Sequence, residues 1–120
     1  MAFALKHLKE AGYLPTAVGS GNDLYANPAS TKTYVRLIIL HNTNSTTETV
    51  TLYCQVPDNA GARQNATATQ TTHKLSLAAN ETVCLEFPGG GIILEDQNET
   101  VQGITTTASK VTVSIFGGTE

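Results

Sequence analysis

Apolar and polar residues alternate with a period of two along most of this chain, in short runs separated by Gly, Pro, Asn and Asp. A period of two is typical of extended strands, whose successive side chains point to opposite faces, and the separating residue types favour turns. The pattern predicts about seven or eight short strands. Their expected positions are residues 23–26, 33–41, 48–56, 75–77, 83–87, 92–94, 101–105 and 110–116.

The fold class follows from the order of these strands. No helical pattern lies between them, which excludes the alternating strands and helices of an α/β fold. We therefore predict an all-β, antiparallel β-sandwich with a jelly-roll-like arrangement. A chain of 120 residues has room for one such domain, and its abundant threonine suits a pleated, half-exposed surface.

The run from Thr33 to His41 is apolar on both of its faces. This pattern is typical of a central strand that is covered on both sides. Strict alternation groups the apolar residues of the run into two sets, Val35, Leu37 and Ile39 on one face and Tyr34, Ile38 and Leu40 on the other.

Residues 1–12 differ from the rest because their apolar residues recur at helical spacing. Because a helix this short has only marginal stability in water, we predict that the segment is an N-terminal arm that docks on a partner. The chain then divides into an arm and linker, residues 1–22, and a sandwich domain, residues 23–120. The expected contact residues of the arm are Phe3, Leu5, Leu8, Tyr13 and Leu14.

Residues 58–72 contain no large apolar side chain and predict a long surface loop. Loops of this length inside a compact domain are usually functional or disordered. We therefore interpret this segment as a second contact region, with Arg63, Gln64 and Asn65 as its candidate residues.

Charge limits the classes of partner. Charged residues make up 14% of the chain, and the net charge is −3. No basic patch is present that could neutralise several phosphates, so nucleic acid is not an expected partner. No apolar run reaches the roughly 18 residues that a membrane span needs, so we expect no membrane insertion.

The histidines and glycines do not form a recognisable active site. His7, His41 and His73 have no carboxylate or cysteine at the spacing of a catalytic triad or a metal site. The glycines of residues 89–91 precede a strand, whereas a phosphate cradle leads into a helix. The sequence therefore predicts a protein that is not an enzyme.

No metal or cofactor is expected either. The acidic residues of the turn 95–99 could offer oxygen ligands to calcium, but their spacing is not that of an EF-hand, and a solvated hairpin explains them. Cys54 and Cys84 are expected to be buried free thiols that act as small apolar residues.

Residues 23–117 contain a succession of turns and strand cores that resembles small structural proteins of tailed bacteriophages. The resemblance rests on Asn27-Pro28-Ala29-Ser30-Thr31, the hydrophobic run 33–40, the turn His41-Asn42-Thr43-Asn44 and the strand Thr49-Val50-Thr51-Leu52-Tyr53. The later segments 77–83, 92–96 and 111–117 fit the second half of the same pattern. The motifs are structural and carry no catalytic residue.

The resemblance implies a capsid decoration, or cement, protein on the outer surface of a virion, made in the host cytoplasm. Such proteins commonly form homotrimers of β-sandwich subunits, so the implied partners are further copies of this chain and the major capsid protein. A phage tail, fibre or neck component is the first alternative. A carbohydrate-binding or adhesion module is the second, and it would need exposed aromatic residues, for which Tyr13, Tyr25 and Tyr53 are the candidates.

Overall fold

Nine strands form two antiparallel sheets in the computed structural model, which describes residues 4–120 and, for side chains, residues 6–120. The predicted all-β sandwich is confirmed. The strands are β1 (Ala4–Tyr13), β2 (Tyr25–Ala26), β3 (Thr33–Asn42), β4 (Glu48–Val56), β5 (His73–Leu77), β6 (Thr82–Glu86), β7 (Ile92–Leu94), β8 (Thr100–Thr105) and β9 (Val111–Thr119).

The two sheets mix strands from both halves of the chain. The first sheet has the order β1-β9-β3-β6, and β7 also pairs with β3. The second sheet has the order β2-β8-β4-β5. All eight strands predicted from the alternation are present, and the ninth, β1, occupies the segment that was predicted to be an N-terminal arm.

The helical spacing of the apolar residues in 1–12 does not correspond to a helix, because Ala4–Tyr13 is the edge strand β1. It runs antiparallel to β9, from Ala4 opposite Thr119 to Tyr13 opposite Thr112. The pairing satisfies backbone groups along β9 that would otherwise be an open sheet edge, and a short isolated helix offers no comparable gain.

A β-bulge at Arg36 changes which side chains of β3 share a face. Val35 lies opposite Gly117 and Leu37 opposite Phe116, so β3 has one residue more than β9 at this point. The predicted grouping of β3 side chains is therefore wrong. The fully buried apolar residues are Val35, Ile38 and Leu40, and the half-buried ones are Tyr34, Leu37 and Ile39.

The core lies between the two sheets. The alternation of β4 correctly predicts its inner face, because Val50, Leu52, Cys54 and Val56 are all fully buried. From the first sheet, Val111, Val113 and Ile115 are equally buried, as the alternation of β9 predicts. Leu14, which directly follows β1, is 1% exposed and belongs to the same core cluster.

Candidate interaction surface

A group of large apolar side chains lies on the first sheet without packing against the core. Leu37 lies opposite Phe116, Tyr34 opposite Ile93, and Ile39 opposite Cys84 on one side and Ser114 on the other. We call Tyr34, Leu37, Ile39, Ile93 and Phe116 the outer apolar face. All five are half-buried, and none belongs to the core cluster or to the residues packed against it.

Polar residues surround this face. The His7 ring contacts the Phe116 ring with centroids 4.5 Å apart, at the β1 side of the face. Lys6 and Arg36 join these rings in lining an open hollow of about 500 Å³, and Glu86 lies on the opposite side of Leu37. An apolar centre within a charged rim is the usual composition of a protein–protein contact.

The outer apolar face is unusual for a β-sandwich that is surrounded by water alone. In an antiparallel sheet with one solvated face, that face normally carries polar residues in strict alternation with the core residues. The sequence of β3 predicts that both faces of the strand are covered. Within residues 4–120, only the face toward the second sheet is covered by the chain itself.

The predicted contact residues of the arm fall in different surroundings. Leu14 is buried in the core and Leu8 packs against it, so both are engaged within their own chain. Tyr13 is 56% exposed. Phe3 and the side chain of Leu5 lie outside the described residues, and their contact with a partner stays a prediction.

The predicted surface loop is present between β4 and β5, but the structure holds it against the second sheet. It contains a short 3-10 helix, Ala68–Gln70, and an isolated bridge between Asn59 and Ala62. Gln102 of β8, which is 1% exposed, accepts a hydrogen bond from the backbone N–H of Ala66 at 3.0 Å and donates one to the carbonyl of Gln64 at 2.8 Å. A buried amide thus fixes the middle of the loop.

Arg63 anchors the same loop to the segment before β2. Its guanidinium donates to both carboxylate oxygens of Asp23 at 2.6 Å and to the carbonyl of Gly19 at 3.0 Å. The hydrogen bond to Asp23 raises the pKa of Arg63, although partial burial acts in the opposite direction. Of the predicted loop contacts, Arg63 is therefore engaged internally, whereas Gln64 and Asn65 are exposed. The Asn65 side-chain oxygen accepts a hydrogen bond from Arg63.

Three carboxylates from two distant loops meet beside the acidic turn. Ligand atoms of Asp58, Asp96 and Glu99 all lie within 4.8 Å of one another. Sequence reasoning missed Asp58, because it precedes the turn by some forty positions. The Glu99 carboxylate also accepts the backbone N–H groups of Glu95 and Asp96, at 2.5 and 2.9 Å. These two bonds close the turn and fix the position of the Glu99 side chain.

The structure also brings together a cysteine and a histidine. The Cys54 sulfur lies 3.7 Å from Nδ1 of His73, and the His73 ring contacts Phe87 edge-on at 5.9 Å between centroids. Burial raises the pKa of Cys54, which disfavours the thiolate form that a nucleophile needs. Cys84, predicted to be buried, is in fact exposed on the outer side of β6, and both thiols are free.

One buried carboxylate ties the ends of three strands together. Glu48, at the start of β4, is 2% exposed and accepts hydrogen bonds from the Thr105 hydroxyl at 3.0 Å, the Thr107 backbone N–H at 2.9 Å and the Asn44 amide at 2.9 Å. Burial by itself would raise its pKa, but these bonds outweigh that effect and leave the pKa of Glu48 below its ordinary value. Its role is structural.

In comparisons with known proteins, no family profile, curated protein or solved structure matches this chain. Among residues 4–120 there is also no helix with the length and hydropathy that crossing a bilayer would require.

Proposed function

We propose that this protein is a structural component of a tailed-phage virion, a capsid decoration protein that binds the outer shell as a homotrimer. It stabilises contacts between major capsid subunits and performs no catalysis. The resemblance of residues 23–117 to such proteins motivates the proposal, and the confirmed β-sandwich is compatible with it.

The observation that carries an assembly role is the outer apolar face. Contiguous apolar surface on a small protein marks a contact site, because leaving it in water forfeits the free energy of burial. Leu37 and Phe116 lie at its centre, on neighbouring strands, and a sister subunit that covered them would complete the two-sided burial predicted by the sequence of β3. We assign this face to the contact between copies of the chain.

A trimer explains how a small protein can hold a shell. Three weak contacts that are linked in one particle act at high effective concentration, which raises avidity by about 10²–10⁴-fold over a single contact. The many Thr and Asn side chains keep such a densely packed surface polar, although few residues are charged. The exposed loop residues Gln64 and Asn65 remain candidates for the contact with the shell.

The rival structural role, as a tail, fibre or neck component, makes a different prediction about abundance. Quantitative mass spectrometry of purified virions measures the ratio of this chain to the major capsid protein. A decoration protein should be present at a similar order of abundance to the shell subunit. A ratio typical of a few copies per particle would place the protein in the tail, and its absence from virions would refute both roles.

Binding to the shell itself is tested with purified particles that lack this chain. Wild-type protein should co-sediment with them to saturation, and a variant with Gln64 and Asn65 both replaced by Ala should bind more weakly. Deleting residues 1–14 would not isolate a contact with the shell, because it also removes strand β1 and the core residue Leu14. Failure of the wild-type protein to co-sediment would contradict the decoration role.

A further inference from the structure

Tyr13 lies at the edge of a cleft that the proposed assembly role does not use. Among the described side chains it is the one large hydrophobic residue that is mostly exposed, at 56%. The cleft beside it has a volume of about 410 Å³, within the range of small-molecule sites. Polar residues make up much of its lining, namely Lys9, Thr16, Asn22, Asp23 and Ser109.

The backbone holds Tyr13 rigidly in place. Tyr13 pairs with Thr112 of β9, and the next residue, Leu14, donates its backbone N–H to Val111 at 2.8 Å while its side chain fills the core. The carbonyl of Pro15 then accepts the backbone N–H of Thr105 at 2.9 Å. The ring therefore extends from a fixed segment and can serve as a preformed platform, which lowers the entropic cost of binding.

The opposite wall of the cleft is also preformed. Asn22 closes a tight turn through its backbone N–H to Gly19 at 3.0 Å, and its side-chain amide donates to Ala17 at 3.0 Å. The paired Asp23 and Arg63 brace the same turn, because Arg63 also binds the carbonyl of Gly19. Both sides of the cleft are thus fixed before any ligand arrives.

Polar groups in the cleft remain available to a ligand. Within residues 6–120, the ammonium group of Lys9 and the hydroxyl groups of Thr16 and Ser109 make no hydrogen bond to another residue of the chain. The carbonyl oxygen of the Asn22 side chain accepts none either. The lining thus offers separate donors and acceptors beside Tyr13.

We infer that this cleft binds a neutral saccharide, with one sugar ring stacked on Tyr13 and its hydroxyl groups bonded to the polar lining. A tyrosine offers an apolar face for the C–H groups of a sugar and a polar tip for its hydroxyls. Asp23 is already paired with Arg63, so Lys9 is the one charged side chain of the cleft lining without an opposite charge beside it. A nucleic-acid strand would need several cations along its phosphates, which the cleft does not provide.

The test begins with wild-type protein on an array of neutral and acidic glycans, followed by titration calorimetry with the neutral glycan that binds best. Tyr13→Ala should weaken that binding roughly tenfold or more, because the stacking face is lost. Tyr13→Phe keeps the ring and should retain most of the affinity. The control Glu10→Ala, at an exposed position of β1 outside the cleft, should bind as the wild type does.

Thermal unfolding of each variant establishes that it is folded, which is expected because the Tyr13 side chain is largely exposed. Absence of any glycan binding by the wild type would overturn the inference, as would a Tyr13→Ala variant that binds with unchanged affinity. Tighter binding of a single-stranded oligonucleotide than of any neutral glycan would overturn it too. These outcomes are independent of the assembly role, which depends on a different face.

Discussion

Leu37 and Phe116 lie directly opposite each other on β3 and β9, with both side chains on the outer face of the first sheet. The bulge at Arg36 creates this relationship, since without it Leu37 would share a face with Val35 and point into the core. One additional residue in a strand thus converts a core side chain into a surface one. The outer apolar face exists because of that shift.

The ion pair between Arg63 and Asp23 should stabilise the fold by connecting two loops. Replacing Arg63 with Ala is expected to lower the free energy of unfolding by about 1–2 kcal/mol, because it leaves a mostly buried carboxylate without its partner. Chemical denaturation measures the change. Lys74→Ala, at an exposed position of β5, serves as the matched control and should have little effect.

A double-mutant cycle measures the interaction energy between Arg63 and Asp23 separately from their contacts with other residues. If the interaction is direct, Asp23→Ala should add little once Arg63 has already been replaced. Fully additive losses would mean that the two residues act independently and would contradict the proposed bracing of the loops.

The buried amide of Gln102 should control the order of the loop between β4 and β5. Gln102→Leu leaves the Ala66 N–H and the Gln64 carbonyl without their partner and should cost about 2 kcal/mol. Hydrogen exchange at the Ala66 amide should accelerate by more than the general increase that the loss of global stability produces at amides in β3. Gln97→Leu, in an exposed turn, is the control. Unchanged exchange at Ala66 would show that other contacts fix the loop.

Glu48 should contribute to stability in a way that depends on pH. Its pKa is lower in the folded state than in the unfolded state, so its contribution is complete above the unfolded value of about 4.3 and is lost as the pH falls through the folded value. Glu48→Gln should therefore be less stable than the wild type at pH 7, and the difference should narrow in acid.

Denaturation midpoints measured across the acid range for both proteins give this comparison directly. Glu86→Gln, which changes an exposed carboxylate, should follow the wild-type curve throughout. A difference between wild type and Glu48→Gln that stayed constant down to the lowest pH would contradict the assignment of a lowered pKa.

Local pattern was sufficient to predict much of the fold. The alternation in residues 48–56 gives both the limits of β4 and its buried face, since every second side chain there must be apolar to fill the core. The polar turn after β3 has a local signal too, because the Asn42 side-chain oxygen accepts the backbone N–H of Asn44, two residues away, at 2.8 Å.

Contacts between distant residues account for what the pattern did not predict. The strand character of residues 4–13 comes from pairing with β9 at the other end of the chain, and no local signal in the segment records that pairing. Asp58 joins Asp96 and Glu99 through loops that are far apart in sequence. The bulge at Arg36 likewise could not be predicted from β3 alone. A residue is additional only in comparison with the paired strand, which here is β9.

The mass of the protein in solution, measured by light scattering during gel filtration, tests the central claim of assembly through the outer apolar face most directly. The wild type should have a mass of about 38 kDa, three times the 12.7 kDa of one chain. A variant carrying Leu37→Thr and Phe116→Thr should stay folded and elute as a 12.7 kDa monomer. The matched control, Thr51→Ala with Lys74→Ala on the second sheet, should remain trimeric. A monomeric wild type, or a trimer that survives the loss of both Leu37 and Phe116, would contradict the account.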